Sequence, residues 1–157
     1  MTRQTFTFFF LSAFLFGVLL TAGCGGGGRP IPADMPPLFP SILTFTQEGE
    51  PLAEANILLH SDSKWSVGGM TNEKGEMKLV TNGYWDGAPE GTYKITVRKI
   101  VVVLNEETGD IIRQTDVIEN QFKRENTTPL GITIGKGDNN QTFDVGKAVS
   151  INVRISD

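Results

Sequence analysis

The sequence predicts an all-β fold, a single β-sandwich, and two observations carry that prediction. Apolar residues recur with period two almost everywhere after Pro40, which is the spacing of half-buried strands rather than of helices. The alternating runs are short and are punctuated by Gly, Asn and Pro, as the turns of a sandwich require.

Taken in chain order, Leu43 and Phe45 alternate with Thr44 and Thr46, and Gln47-Glu48-Gly49-Glu50-Pro51 follows as a turn. Ala53, Ala55, Ile57 and Leu59 then share one strand face. The next strand carries Met77, Leu79 and Thr81 after the turn Asn72-Glu73-Lys74-Gly75. Another presents Tyr93, Ile95 and Val97 after the loop Asp86 to Gly91. Ile100 to Leu104 is apolar on both parities, the pattern of a strand buried on both faces or shared with a neighbouring hairpin. Asn105 to Asp110 supplies that hairpin's turn, and the chain returns through Ile111 and Ile112. Gln114 to Asn140 is polar and poorly periodic, a long excursion with one short strand around Ile132 and Ile134. The last strand sets Val149, Ile151, Val153 and Ile155 against Ser150, Asn152, Arg154 and Ser156.

The N-terminus reads as an export signal. Arg3 and the free amine precede an apolar run from Phe6 to Leu20, followed by the small residues Thr21-Ala22-Gly23. The run is shorter than the ~18 to 20 residues that a bilayer-spanning helix needs. Cys24, the only cysteine, comes next. Thr21 to Cys24 resembles the lipobox of bacterial lipoproteins, with Thr21 where Leu is usual and Leu20 one place too early. The resemblance implies residues 1–23 as a lipoprotein signal peptide and an acylated (palmitate-type) Cys24 as the first mature residue. Such an anchor gains about 0.8 kcal/mol per buried CH₂. Residues 24–40 then form a Gly/Pro-rich flexible tether, with five of the chain's eight prolines between Pro30 and Pro40. Residues 41–157 are the β-sandwich domain.

Composition bounds the function. Six of the ten Phe residues precede Cys24, so aliphatics must build the core. With Cys24 committed to lipid no disulfide can form. The net charge of -4, which becomes -5 once Arg3 leaves with the signal, argues against a nucleic-acid partner.

Gly49-Glu50-Pro51-Leu52-Ala53-Glu54-Ala55-Asn56-Ile57, Gly69-Met70-Thr71-Asn72-Glu73-Lys74-Gly75-Glu76-Met77 and Gly91-Thr92-Tyr93-Lys94-Ile95-Thr96-Val97 together resemble the transthyretin-like, or carboxypeptidase regulatory-like, domain. Asn72 stands where Asp is usual and Met77 where an aromatic is usual. The resemblance implies a prealbumin-like, seven-stranded sandwich, here with an extra hairpin excursion, and a noncatalytic role. One branch of that family hydrolyses 5-hydroxyisourate with several histidines and a C-terminal Tyr-Arg-Gly-Ser. This chain has His60 alone and ends Arg154-Ile155-Ser156-Asp157, so the hydrolase is a remote alternative.

No catalytic set, cofactor site or metal site emerges. His60 reads as a solvated strand-end residue, since one imidazole without Cys or a second His is a poor start for a metal. Asp138, Asn139, Asn140 and Asp144 offer oxygens but lack the spacing of a calcium loop, and read as a polar turn. Trp65, Tyr84 and Trp85 are the candidate ligand contacts: exposed aromatics can stack on sugar rings, although aromatics also cover core edges. The sequence therefore predicts a lipoprotein of the bacterial cell envelope, periplasmic or surface-facing, on either membrane. It is expected to carry a noncatalytic structural or interaction module for a protein or glycan partner. The alternative is a carbohydrate-binding module using those three aromatics.

Overall fold

The computed structural model describes residues 29–149. The β structure lies in the unit from Ile31 onward. The expected signal segment, Cys24, Gly25 to Gly28 and the terminal strand beyond Val149 lie outside the described residues.

That unit is all-β. Its strands in chain order are β1 (Leu38–Phe39), β2 (Ile42–Gln47), β3 (Glu50–Pro51), β4 (Asn56–His60), β5 (Val67–Met70), β6 (Glu76–Lys78) and β7 (Val80–Thr81). These are followed by β8 (Trp85–Asp86), β9 (Ala88–Pro89), β10 (Gly91–Arg98), β11 (Ile100–Leu104) and β12 (Ile111–Asp116). A 3₁₀ turn at Asn120–Lys123 precedes β13 (Gly131–Ile134) and β14 (Gln141–Asp144).

Two sheets cover one hydrophobic cluster. The larger runs β13-β10-β4-β5-β7-β8, and the smaller runs β14-β2-β3 with β6 also paired to β2. Leu43, Phe45, Met77 and Phe143 from the smaller sheet meet Ile57, Leu59, Val67, Tyr93, Ile95, Val97, Ile132 and Ile134 from the larger in that cluster. The period-two reading of β2, β4 and β10 is thus the alternation of core-facing residues.

The turns follow from backbone chemistry. Gln47 and Glu50 face each other across β2 and β3, leaving a two-residue loop with Glu48 at φ 54° and Gly49 at φ 86°. Two positive φ values in succession match the right-handed twist of the flanking strands. At the next turn Asn72 Oδ1 accepts from the Lys74 and Glu76 N–H groups, each at 2.9 Å, and Gly75 takes φ 73°.

Several expectations need correction. Ala53 and Ala55 do not belong to the strand of Ile57 and Leu59. Glu54 adopts φ 55°, and Thr71 ties the bend, its hydroxyl donating to the Leu52 carbonyl (2.6 Å) while accepting from the Ala55 N–H (2.9 Å). Met77, Leu79 and Thr81 are all buried, yet they lie on two strands, because the chain changes sheets at Leu79: β6 pairs with β2 and β7 with β5. Leu38 and Phe39, assigned to the tether, pair with Pro89 and Ala88, and Phe39 packs against the core. The excursion is shorter than expected: Gln114 to Asp116 complete β12, Ile118 and Phe122 reach the core, and the Thr128 hydroxyl donates to the Ile95 carbonyl at 2.6 Å. Asp144, expected in a polar turn, lies instead on a strand, Gln141 to Asp144, that runs parallel to β2 with Phe143 opposite Phe45.

Tyr93 supplies a pH test of this packing. Its ring is buried and its hydroxyl donates to the Pro89 carbonyl at 2.8 Å. Burial pushes the phenol above its ordinary value, an effect offset only in part by Ser61. The folded chain therefore favours the neutral phenol, and this stabilisation is complete below the unfolded value of about 10 and fades as pH rises from there. Tyr93→Phe should cost about 1 kcal/mol at neutral pH and flatten the alkaline loss of stability. Denaturant unfolding of both chains at about pH 7 and about pH 11 checks it; parallel alkaline losses would contradict it.

Candidate functional site

One end of the larger sheet gathers two of the sequence's three aromatic candidates, Tyr84 and Trp85. Thr81 and Trp85 pair across β7 and β8, and the connecting loop turns through Asn82 (φ 50°) and Gly83 (φ 73°). The Asn82 side-chain oxygen accepts from the Ser66 N–H at 2.9 Å, while the Asn82 backbone N–H donates to the Ser66 carbonyl at 2.7 Å. That brace projects Tyr84, which is 56% exposed, edge-on to Trp85 with ring centroids 5.8 Å apart and planes at 69°. Both rings line an open groove of about 590 Å³ whose other residues include Ile31, Met35, Pro36 and Pro37. Trp65 is not on that groove. Lys64 Nζ lies over its ring at 4.8 Å and also pairs with Asp34. The hydrogen bond from Lys64 holds the Asp34 carboxyl below its ordinary value. The structure thus unites Tyr84 with Trp85, and sets Trp65 apart under a cation.

His60 ends β4 half-buried rather than solvated: Nε2 stands 2.8 Å from the Thr96 hydroxyl and Nδ1 3.6 Å from a Glu125 carboxylate oxygen. The cause is β10, which lays Thr96 along the outer side of β4. The polar quartet is dispersed. Asn139 closes the loop after β13, accepting from the Gly135 N–H (3.0 Å) and donating to the Gly135 carbonyl (2.9 Å). Asp138 accepts from the Asn140 N–H (2.9 Å), and Asn140 accepts from the Ile42 N–H (2.7 Å). Asp144 accepts from the Gly146 N–H (2.7 Å) and the Thr46 hydroxyl (3.0 Å). These oxygens serve their own turns and the β14–β2 junction. Among the described residues no three His, Cys, Asp or Glu side chains come together as a metal ion requires.

No known protein family matches the chain's sequence, and no curated protein matches it. Among solved structures it is similar to a 9R-lipoxygenase from Cyanothece, at 16% identity and a TM-score of 0.29. That match covers 70% of this chain and 16% of the lipoxygenase chain, and a likeness this slight carries no inference.

The most unusual surface is one the sequence pattern pointed to for a different reason. β11 and β12 form a two-stranded sheet of their own. Ile100, Val102, Leu104, Ile111 and Ile112 are between 44% and 60% exposed. Of the two expectations for Ile100 to Leu104 it is the hairpin that forms: β11 pairs with β12 alone among the described strands, and Ile100, Val102 and Leu104 stand half in water. Its base is fixed. Asp116 accepts from Arg98 Nε (3.0 Å), the Lys99 N–H (3.3 Å) and the Ile118 N–H (3.2 Å), with Lys123 Nζ at 3.9 Å. The tip is also ordered locally: Asn105 Oδ1 accepts from the Glu107 N–H at 2.8 Å, and Gly109 takes φ 74°. Sequence reasoning named these residues as a hairpin but not as a site; the signal was five consecutive aliphatics in a chain whose core is already filled elsewhere.

Proposed function

We propose that this chain is a lipid-anchored, extracytoplasmic interaction module, a transthyretin-like β-sandwich tethered through Cys24 that works by binding rather than by catalysis. The exposed aliphatic hairpin β11–β12 carries the reading. A two-stranded ribbon is marginally stable by itself in water, and contiguous apolar surface on a soluble domain marks a place where something docks. Covering five half-exposed aliphatic side chains is worth on the order of several kcal/mol. The fixed base at Asp116 presents this ribbon as a defined feature of the body.

The transthyretin-like assignment draws support from its motif positions. Gly75 holds the positive φ that a turn glycine supplies, Pro51 sits on β3 beside the first turn, and Tyr93 is buried in the core.

Two experiments test the proposal. Mass spectrometry of membrane-extracted protein should find an acylated Cys24 at the N-terminus, with Cys24→Ala released to the soluble fraction; an unacylated Cys24 would contradict the anchor. On blue-native gels of detergent extracts the chain should migrate well above the size of one mature chain, and replacing residues 101–115 by a short glycine link should return it to monomer size. Monomeric migration of the full chain would count against the module.

A second reading, carbohydrate binding, is favoured by the Tyr84–Trp85 pair on its groove. Affinity electrophoresis should then show sugar-dependent retardation that Trp85→Ala abolishes. Equal mobility on every glycan would remove it.

A further inference from the structure

We propose that the occupant of the β11 edge is a second copy of this chain, paired antiparallel and two-fold about Val102; this rests on the interaction-module reading and names its partner. The backbone sets the register. The Lys99 carbonyl accepts from the Val117 N–H at 2.9 Å, so Lys99 faces the β12 side. At the far end the Asn105 N–H donates to the Asp110 carbonyl at 2.8 Å, which keeps the same alternation. Ile100, Val102 and Leu104 therefore turn their N–H and C=O groups to the other edge, which no described strand pairs. That edge carries neither charge nor proline between Ile100 and Leu104, so it lacks the devices by which edge strands avoid pairing.

Self-pairing satisfies this edge in one register. Placing Val102 opposite Val102 of the other copy lets both residues exchange N–H to C=O bonds, and sets Ile100 of each copy opposite Leu104 of the other. All five aliphatics are then matched by aliphatics. Charge selects the same arrangement. The hairpin tip is acidic, with Glu106, Glu107 and Asp110, whereas its base carries Arg98 and Lys99. Antiparallel pairing lays the Glu106-Glu107 tip of each copy beside the Arg98-Lys99 base of the other, twice by symmetry. A parallel arrangement would set acid against acid, which is destabilising across strands. The acidic tip also disfavours insertion of the hairpin into an anionic lipid surface. The product is one four-stranded sheet with an isologous interface.

Cysteine cross-linking of the full chain in detergent extracts tests the register. Val102→Cys should form a disulfide-linked dimer under mild oxidation, well above the parent chain, which carries Cys24 alone. Ile100→Cys and Leu104→Cys chains mixed together should cross-link to each other, and Gln114→Cys on β12 should not. Val102→Lys should shift the chain to monomer by about tenfold or more in dissociation constant while leaving its circular dichroism unchanged. Lys99→Glu should weaken the dimer, and adding Glu106→Lys to the same chain should restore it. Equal cross-linking at Val102 and Gln114, vesicle binding through the hairpin without dimer, or cross-linking that appears only when residues 150–157 are removed would each overturn the self-pairing. A hairpin-dependent complex with no second copy in it would overturn this inference and leave the interaction module standing. A chain monomeric throughout would overturn both.

Discussion

Gly75→Ala is expected to destabilise the chain by about 3 kcal/mol or more, whereas Gly83→Ala should cost about 1 kcal/mol. The two glycines have the same backbone angle, φ 73°, so the intrinsic penalty for a side chain is the same at both. Their surroundings differ. A Cβ at Gly83 meets nothing within 4 Å, but one at Gly75 would stand 2.3 Å from the Phe45 carbonyl oxygen and 3.0 Å from the Leu52 nitrogen. Those atoms are the hinge of the smaller sheet. The Phe45 carbonyl accepts from the Leu52 N–H at 2.9 Å, and the Gly75 carbonyl accepts from the Phe45 N–H at 2.8 Å. Backbone cannot move aside as a flexible side chain would, so the clash must open one of these bonds. Thermal unfolding of the two variants side by side checks the difference, at several degrees per kcal/mol for a domain of this size. Equal losses would mean that the turn tolerates a side chain and that the close approach is unimportant.

Phe143→Ala is expected to cost about 3 to 4 kcal/mol. Its ring stacks on Phe45 with centroids 5.4 Å apart and planes at 25°, and both rings are buried. The pair sits where β14 runs parallel to β2, and Val145 continues the ladder by donating its N–H to the Thr46 carbonyl at 2.9 Å. Removing the ring leaves a cavity in the core and loosens the strand that closes this edge. Phe143→Leu keeps most of the volume and should lose much less. Denaturant unfolding of the three chains measures it; a loss under about 1 kcal/mol for Phe143→Ala would show that β14 contributes little to the fold.

The residues that were legible in the sequence are those whose environment is local or periodic. Tyr93, Ile95 and Val97 alternate because β10 is long and is flanked by β13 and β4 in the larger sheet, so these three residues share its core face. The turn at Asn72 to Gly75 was legible because a side-chain oxygen and a left-handed glycine solve a local problem with local residues. What could not be read depends on partners distant in sequence. The sheet change at Leu79 leaves the burial alternation of Met77, Leu79 and Thr81 intact, and only the hydrogen-bonding partner changes, from β2 to β5. β14 is four residues with one buried side chain, Phe143, and its pairing with β2 spans almost the whole domain. Aromatic exposure was equally hidden. Tyr84 and Trp85 are adjacent in sequence and together on the groove, whereas Trp65 is held by Lys64, whose link to Asp34 no local pattern announces.

The hairpin shows the same limit from the other side. Ile100 to Leu104 reads as a strand either buried on both faces or shared with a hairpin, and composition does not say which, nor whether the covering surface belongs to this chain. The amide of Val102 tests the central claim, that the hairpin is a docking surface, most directly. It points to the free edge of β11, so hydrogen exchange at this one position, measured on the membrane-extracted chain, reports whether the edge is occupied. The account predicts strong protection at Val102, lost in Val102→Lys at the neighbouring edge amides of Ile100 and Leu104. Exchange at Val102 as fast as in an unprotected peptide, with β10 amides still protected, would contradict it.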